Sequence, residues 1–451
     1  MSTRVSLILV FVALCGVDAR AQGVDLSSSI DSYVQPYVQT RNFSGVVLVE
    51  RNGKAVFERA YGLADQDKKI RNSPQTRFHV ASISMQFTAV AVLRLIDEGQ
   101  VRLEDPVAQY VPGIPGAEKI TVRDLLVQRS GLPDINSMPD YDDVLQQHQT
   151  PESLVVHIQG QPLQFEPGTK FVREEHSAYN LLALIIEKKT GLPFKDAMQR
   201  LVFEPFGLAH SGIDDDFASA IEMAKGYAPE RTYGLKPAKT IHWSGKTGNA
   251  SAFATASDQA SWVLKVFHGD KLSVPARDAI LDTSMKVGYG WMRGRSERFG
   301  GTAYYMNGRA PGFASFVLYL PESETTVVVL SNIYSSATTT IGYDIAATAL
   351  GLPYEQFAVG KMSASRLNSS VADFQFGADF YQASARVKLR VEGSELFLVW
   401  PSGDRSALIP MEGDRFLDRS YWEEVRIERD DSGAPRALTY DHFRGEALPS
   451  R

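Results

Sequence analysis

Residues 78–89 read Phe78-His79-Val80-Ala81-Ser82-Ile83-Ser84-Met85-Gln86-Phe87-Thr88-Ala89. From residue 86 to residue 98 apolar side chains recur at helical spacing, and the pattern stops at Gly99, which predicts a long helix. Ser82 stands at the start of this helix, where free backbone N–H groups and the positive end of the helix dipole favour a negatively charged oxygen. On position alone a helix N-cap is the simpler interpretation of Ser82, and the rest of the chain decides whether it is a nucleophile.

Strand patterns lie on both sides of the helical middle of the chain. Residues 44–57 contain two apolar runs joined at Asn52-Gly53, which is a strong signal for a hairpin. Residues 316–330 contain a second pair of apolar runs, and residues 178–189 form a second apolar helix. This order predicts an α+β domain in which the first and last strands share one sheet.

The character of the sequence changes beyond residue 351. From about Ala378 onward, short alternating segments appear, each bounded by Gly, Asp or Ser. This pattern is typical of a small all-β domain, either a sandwich or a barrel. We therefore predict one domain over residues 22–355 and a small β domain over residues 370–451.

The first 21 residues have the pattern of a secretory signal peptide. Arg4 precedes an apolar stretch at residues 5–17, and a small-x-small tripeptide ends at Ala21. The stretch is too short to span a bilayer, so we predict a periplasmic or secreted protein with no transmembrane segment. The alternative is a lipoprotein anchored through Cys15, the single cysteine of the chain. After removal of the signal peptide, no cysteine is left for a disulfide or a zinc site.

The composition excludes several classes of protein. The 451 residues include 47 basic and 53 acidic side chains, and their formal charge of −6 with no Lys/Arg run argues against nucleic-acid binding. No two histidines have the spacing of a helical metal site, so we predict neither a metal nor a cofactor. The expected partner is a small-molecule or peptide substrate, and the oligomeric state stays open.

Short motifs that follow one another along the chain carry a more specific indication. They are Leu103-Glu104-Asp105-Pro106-Val107, Ser130-Gly131-Leu132-Pro133, Pro167-Gly168-Thr169, Thr255-Ala256-Ser257-Asp258 and Pro311-Gly312-Phe313. With residues 78–89, they make the sequence similar to the class C β-lactamase and D-alanyl-D-alanine carboxypeptidase superfamily of serine hydrolases over about residues 25–350. The resemblance implies an antiparallel sheet with flanking helices and a helical subdomain. The tail resembles the small β domain often appended to these enzymes.

The resemblance implies four catalytic elements, and this chain departs from three of them. Ser82 matches the nucleophile, but the lysine expected three residues later, on the same helix face, is Met85. The Lys/His-x-Gly element is Met306-Asn307-Gly308, which keeps the glycine and lacks the charged residue. A methionine thioether takes up no proton, so the usual proton transfer is lost at both positions.

The third departure is the segment where the family has Tyr-x-Asn. Here the chain is charged, and the family tyrosine falls on Arg173 or Glu174. One hypothesis is a rewired hydrolase of esters or amides, in which His176, beside the carboxylate of Glu175, activates Ser82. Arg173 then binds a substrate carboxylate or pairs with Glu174.

The remaining site predictions concern the strand before Pro311. The resemblance places the oxyanion between the backbone N–H groups of Ser82 and Arg309, next to Gly308, and Tyr305 is a candidate phenol near the cleft. Lys246-Thr247-Gly248 spells the third motif of class A enzymes. We do not assign it that role, because it comes directly before a helix start that precedes the third motif in the family.

Two further hypotheses stay open from the sequence. In the first, Met85 and Met306 make the cleft apolar, and the protein is an inactive pseudoenzyme that binds a peptide, a cell-wall fragment or a protein partner. In the second, Met85 was introduced in place of a lysine to trap a substrate complex.

Overall fold

The structure is a computed structural model that describes residues 25–172, 175–217 and 223–449. The predicted signal peptide, residues 1–21, lies outside these ranges, as do the candidate site residues Arg173 and Glu174. Within the described ranges, no helix is long and apolar enough to cross a membrane.

The strands are numbered along the chain. Their bounds are β1 Gly45–Arg51, β2 Lys54–Tyr61, β3 Leu63–Asp65, β4 Ile70–Arg71, β5 Phe78–His79, β6 Gly212–Ile213, β7 Tyr227–Glu230, β8 Gly234–Pro237, β9 Ala252–Ala254, β10 Val287–Gly288, β11 Trp291–Ser296, β12 Gly301–Ala310, β13 Phe313–Leu320, β14 Thr325–Ser331, β15 Ala372–Gln375, β16 Arg386–Glu392, β17 Glu395–Val399, β18 Arg405–Pro410, β19 Arg415–Asp418, β20 Glu424–Arg429, β21 Pro435–Tyr440 and β22 Phe443–Ala447.

A seven-stranded antiparallel sheet is the centre of the larger domain. Its strand order is β10-β11-β12-β13-β14-β1-β2. β1 pairs with β14 from Gly45 opposite Ser331 to Arg51 opposite Thr325. The buried strands are rich in Val, Leu and Phe because both faces of the sheet are covered. The pairing confirms the prediction that the first and last strands of this domain share one sheet.

Helices cover the two faces of this sheet. Their bounds are α1 Leu26–Gln39, α2 Ser84–Asp97, α3 Val122–Leu126, α4 Tyr141–Val144, α5 Pro151–Val156, α6 His176–Thr190, α7 Phe194–Met198, α8 Ala256–His268, α9 Val274–Leu281, α10 Ala337–Ala349 and α11 Ala364–Asn368. The core that contains α1 and α10 lies on one face of the sheet. The larger core, with α2, α6 and α8, lies on the other and continues into the helical region. The predicted α+β fold, with flanking helices and a helical subdomain, is confirmed.

The C-terminal segment folds into a closed barrel of eight antiparallel strands, β15 to β22. Its interior is filled by its own apolar side chains, including Phe374, Leu389 and Phe416. Closure pairs β15 with β22, so the barrel has no open sheet edge. The sequence predicted either a sandwich or a barrel for the tail, and the structure shows a barrel.

Candidate active site

Ser82 lies in a short 3-10 helix, Ala81–Ile83, between β5 and α2. Ala81 has a φ of +49°, in the left-handed region that is uncommon for residues with a side chain. Backbone strain of this kind is concentrated at functional sites. The N-cap residue of α2 is Ile83, and no side chain caps the helix. Ser82 is therefore not the N-cap that its position alone suggests.

The Ser82 side chain has no structural partner. The residue is 5% exposed, and no hydrogen bond joins its hydroxyl or its backbone N–H to another residue that the structure describes. The arrangement leaves both groups of Ser82 free for a ligand.

Strand β12 passes directly against this turn at Gly308. A Cβ atom at position 308 would lie 2.8 Å from the backbone nitrogen of Ser82 and 2.6 Å from the carbonyl oxygen of Val80. Both are backbone atoms, so a side chain at this position displaces the turn. Glycine is required here because the strand and the turn are in contact.

The backbone N–H of Arg309 points to an open edge of β12. Pro311-Gly312 forms the two-residue turn between β12 and β13, with a positive φ at its glycine. Ala310 and Phe313, which flank the turn, are the hydrogen-bonded pair. The next pair, Arg309 and Ala314, is therefore non-hydrogen-bonded, and the N–H of Arg309 points away from β13. The pairing of β12 with β11 ends at Tyr305, and no described strand covers the edge beyond it. The N–H groups of Ser82 and Arg309 are thus both available to an oxyanion.

Two methionines replace proton-handling groups near this turn. Met85 is fully buried in the larger core, and Met306 faces the same core from β12. A thioether neither accepts a proton nor carries charge at neutral pH. A proton acceptor for Ser82 therefore has to come from another element.

His176 is oriented by a carboxylate that the sequence analysis did not select. Its Nδ1 lies 3.1 Å from Oδ1 of Asp134, and its side chain is 12% exposed. A carboxylate on Nδ1 fixes the imidazole tautomer and leaves Nε2 as a proton acceptor. Asp134 directly follows the Ser130-Gly131-Leu132-Pro133 motif. Its place beside that motif was the one feature of the sequence that could have pointed to Asp134 as a site residue.

Glu175 has a different role from the one predicted. Its carboxylate accepts hydrogen bonds from the backbone N–H groups of Ser130, at 3.2 Å, and Gly131, at 2.9 Å. Burial raises the pKa of this carboxyl to about 7. Glu175 therefore anchors the loop that leads to Asp134, and Asp134 is the carboxylate that meets His176.

Tyr305 lies away from Ser82. Side chains alternate along a strand, and Tyr305 belongs to the core on the opposite face of the sheet from Met306. Its ring packs against Phe316 and Tyr343, with ring centroids 6.3 and 5.6 Å away. The structure therefore does not bring this phenol together with the serine. The alternation of side chains along β12 is enough to predict this, because Tyr305 and Met306 are neighbours in a strand and face opposite sides.

Lys246 lies on the 3-10 helix Trp243–Lys246 rather than on β12, in agreement with leaving it out of the third motif. Its Nζ is 3.5 Å from Oδ1 of Asn136 and 4.7 Å from the ring centroid of Tyr141. No described carboxylate lies within ion-pair distance of it. Burial lowers the pKa of Lys246 to about 8.

Replacing Lys246 by methionine is expected to stabilise the protein at pH 7 by about 3 kcal/mol, because its pKa is lowered from 10.5 to about 8 and one pKa unit corresponds to about 1.4 kcal/mol. Between pH 8 and 10.5 the unfolded chain binds more protons at this lysine than the folded protein, so wild-type stability rises with pH there. The variant loses this rise. Urea denaturation at pH 7 and pH 10 measures both effects.

The matched control is Lys239→Met, at a half-exposed lysine that pairs with Asp142 at 2.8 Å. It is expected to change the free energy of unfolding by less than about 0.5–1 kcal/mol. A Lys246→Met protein that is less stable than wild type at pH 7 contradicts the assignment of Lys246 as a buried amine without a carboxylate partner.

A cavity of about 660 Å³ opens beside β5 and the end of β12. Its walls include His79, Trp243, Pro311 and Phe313. Pro311 is two residues from Arg309, so the cavity begins within about 7 Å of the open strand edge. Its volume is within the usual range for small-molecule sites. Among the residues that the structure describes, no group of three His, Cys, Asp or Glu side chains is placed to hold a metal ion.

The fold and the serine turn together are those of the β-lactamase and penicillin-binding-protein-like superfamily of serine hydrolases. The profile of the Beta-lactamase family matches residues 30–350, and the chain belongs to this family. It is 27% identical to PbpX of Bacillus subtilis (strain 168), which is named as a penicillin-binding protein, over 70% of this chain and 76% of PbpX. It is also 27% identical to the protein flp of Staphylococcus aureus (strain MRSA252), over 69% of this chain and 64% of flp.

Among solved structures, the octameric penicillin-binding protein homologue from Pyrococcus abyssi is similar over both domains. The match covers 93% of this chain and 99% of the homologue, with a TM-score of 0.64 and 20% sequence identity. At 20% sequence identity, this similarity shows that the two proteins share a fold and nothing more specific.

Proposed function

We propose that this protein is an exported serine hydrolase that cleaves an ester or an amide through an acyl-Ser82 intermediate. The observation that carries the proposal is the unpartnered Ser82 hydroxyl on a strained turn, in contact with Gly308 and beside the open edge at Arg309. Acyl transfer requires a serine nucleophile and backbone donors placed around it. Family membership supports the reaction class, and the N-terminal sequence pattern supports a periplasmic or secreted location.

In the proposed reaction, Oγ of Ser82 attacks the substrate carbonyl carbon and its proton passes to Nε2 of His176. The carbonyl oxygen becomes negative and accepts hydrogen bonds from the N–H groups of Ser82 and Arg309. The imidazolium then gives its proton to the leaving alcohol or amine, and water, activated by the same imidazole, releases the acyl group.

The pairing of His176 with Asp134 supports His176 as the base, since a carboxylate on Nδ1 stabilises the imidazolium that forms. Ser82 and His176 are not hydrogen-bonded to each other among the described residues. Catalytic hydrogen bonds of this type commonly tighten only in the substrate complex. His176 is thus proposed to replace the lysine that Met85 lacks.

A fluorophosphonate probe tests the proposal, because it reacts covalently with activated serines. We expect mass spectrometry to find the adduct on the peptide that contains Ser82, and no adduct in Ser82→Ala. His176→Ala is expected to slow labelling by about 10²–10⁴-fold, which is the usual contribution of a general base.

The matched control is His157→Ala, since His157 pairs with Asp140 at 3.3 Å outside the site and loses only that contact. It is expected to react like wild type. Absence of any adduct on wild-type Ser82 would remove the proposal, and equal rates for His176→Ala and wild type would remove His176 from the mechanism.

A pseudoenzyme is the second candidate, and the observation in its favour is the fully apolar character of Met85 and Met306 in the core beside Ser82. Such a protein binds its peptide, cell-wall fragment or protein partner equally well when Ser82 is alanine. Unchanged affinity in Ser82→Ala, together with a wild-type protein that no probe labels, supports this alternative.

A further inference from the structure

One side chain of the hydrolase domain contacts aromatic rings from both domains. The guanidinium carbon of Arg309 lies 4.1 Å from the ring centroid of Tyr334, which follows β14. The same carbon lies 4.6 Å from the ring centroid of Tyr421, which belongs to the barrel. A guanidinium over an aromatic face is attracted by the ring quadrupole. The barrel therefore touches the residue whose backbone N–H faces the open edge of β12.

The barrel loop that carries Tyr421 is fixed within the barrel. The buried carboxylate of Asp418 accepts hydrogen bonds from the backbone N–H groups of Ser420, at 2.8 Å, and Tyr421, at 3.2 Å. The same carboxylate accepts a hydrogen bond from the hydroxyl of Tyr440 at 3.1 Å. Three donors to one buried acceptor leave the loop little freedom.

The same loop is also fixed to the hydrolase domain. Arg419 is fully buried and donates hydrogen bonds to Oδ1 of Asn42 and to the carbonyl oxygens of residues 41, 230, 231 and 234. The backbone N–H of Ser336 donates to the carbonyl oxygen of Ser420 at 3.1 Å. The ring of Tyr421 thus holds a defined position relative to the larger domain.

The position of Arg309 makes this contact relevant to catalysis. Gly308 packs on the Ser82 turn, whereas the Arg309 side chain, one residue further, leaves β12 on the other face. Beyond Tyr305, β12 pairs only with β13 among the strands that the structure describes, and that pairing continues to Ala310. The two rings add a restraint on the face opposite the serine.

We propose that Tyr421 is a positioning residue for the oxyanion donor, and that the C-terminal barrel completes the active site by holding Arg309 in place. The inference rests on the proposed function of Ser82 and deepens it. A donor N–H stabilises the oxyanion only when it is held at the oxygen's position in the transition state, so loss of this restraint lowers the acylation rate more than substrate binding.

The test compares full-length Tyr421→Ala and Tyr421→Phe with wild type, using the fluorophosphonate and a small chromogenic ester. Tyr421→Ala is expected to slow acylation of Ser82 and to lower kcat about two- to fivefold, with KM changed less than twofold, because a cation–aromatic contact at a partly exposed tyrosine is lost. Tyr421→Phe keeps the ring and is expected to react like wild type. Tyr381→Ala, at an exposed barrel tyrosine, is the control for a tyrosine loss that does not touch Arg309.

A second variant keeps the test valid if Tyr421→Ala folds poorly. Arg309→Met removes the cation and keeps the backbone N–H, and it is expected to show the same loss in kcat. The double variant is expected to lose no more than either single variant, since both remove one contact. If wild type reacts at Ser82 and both single variants react equally fast, the inference is wrong while the proposed function stands. If wild type does not react at Ser82, the proposed function fails and the inference fails with it.

Discussion

Replacement of Gly308 by alanine is expected to slow acylation of Ser82 by about 10²–10³-fold, the effect of losing one oxyanion donor. The added Cβ would lie 2.6 Å from the carbonyl oxygen of Val80, 2.7 Å from Oγ of Ser315 and 2.8 Å from the backbone nitrogen of Ser82. Contacts this short force β12 away from the turn. The two N–H groups at Ser82 and Arg309 then separate, and the oxyanion loses its paired donors.

The measurement is the rate of fluorophosphonate labelling at Ser82, together with a thermal unfolding curve that verifies a folded protein. Gly301→Ala is the matched control on the same strand, because the nearest atoms to its Cβ would be the carboxylate end of the flexible Glu322 side chain rather than backbone. That variant is expected to label at the wild-type rate. Normal labelling of Gly308→Ala would show that the contact between β12 and the Ser82 turn is not part of the reactive site.

Replacement of Arg419 by methionine is expected to reduce the free energy of unfolding by about 3–5 kcal/mol. The guanidinium satisfies five acceptors on three segments of the hydrolase domain, at 2.6–3.0 Å; one is buried and four are partly buried, and each that is left without a donor costs at most about 1–3 kcal/mol. Part of that cost is offset because Arg419 is itself desolvated, and burial lowers its pKa to about 10. Methionine fills most of the volume, so the effect reports on the hydrogen bonds.

Urea denaturation followed by tryptophan fluorescence measures this change. Arg405→Met removes an exposed pair with Glu392 on the barrel surface and is expected to cost less than about 1 kcal/mol. We also expect Arg419→Met to separate the unfolding of the barrel from that of the larger domain, since Arg419 bonds the two together. An unchanged midpoint would mean that the barrel is joined to the hydrolase domain mainly by apolar contacts such as Trp422 on Tyr37.

Much of the site followed from local sequence. Ser82 was found from a helix start, and Gly308 from its distance to Pro311-Gly312-Phe313, and the structure places both in one contact. His176 was selected from its charged segment, but its neighbour in the chain, Glu175, was chosen as its carboxylate. Adjacent residues at a helix start point in different directions, so sequence proximity was a poor guide to this pair.

The residues that the sequence analysis missed are those whose partners are distant in the chain. Asp134 and His176 are 42 residues apart, and Lys246 and Asn136 are 110 residues apart. Nothing in the spacing of either pair distinguishes it from unrelated residues. Tyr305 is the reverse case, since alternation along β12 was enough to place it on the face away from Ser82.

By itself, the sequence determined the fold class, the position of Ser82 ahead of a helix, the glycine of β12 and the all-β tail, because hydrophobic period, turn residues and short motifs are local properties. Only the tertiary structure decided that Asp134 meets His176, that Lys246 is buried without a carboxylate, and that Tyr421 of the barrel holds Arg309. These contacts depend on how the helical region and the barrel pack on the central sheet. That packing is set by the summed burial of many side chains, which no single motif records.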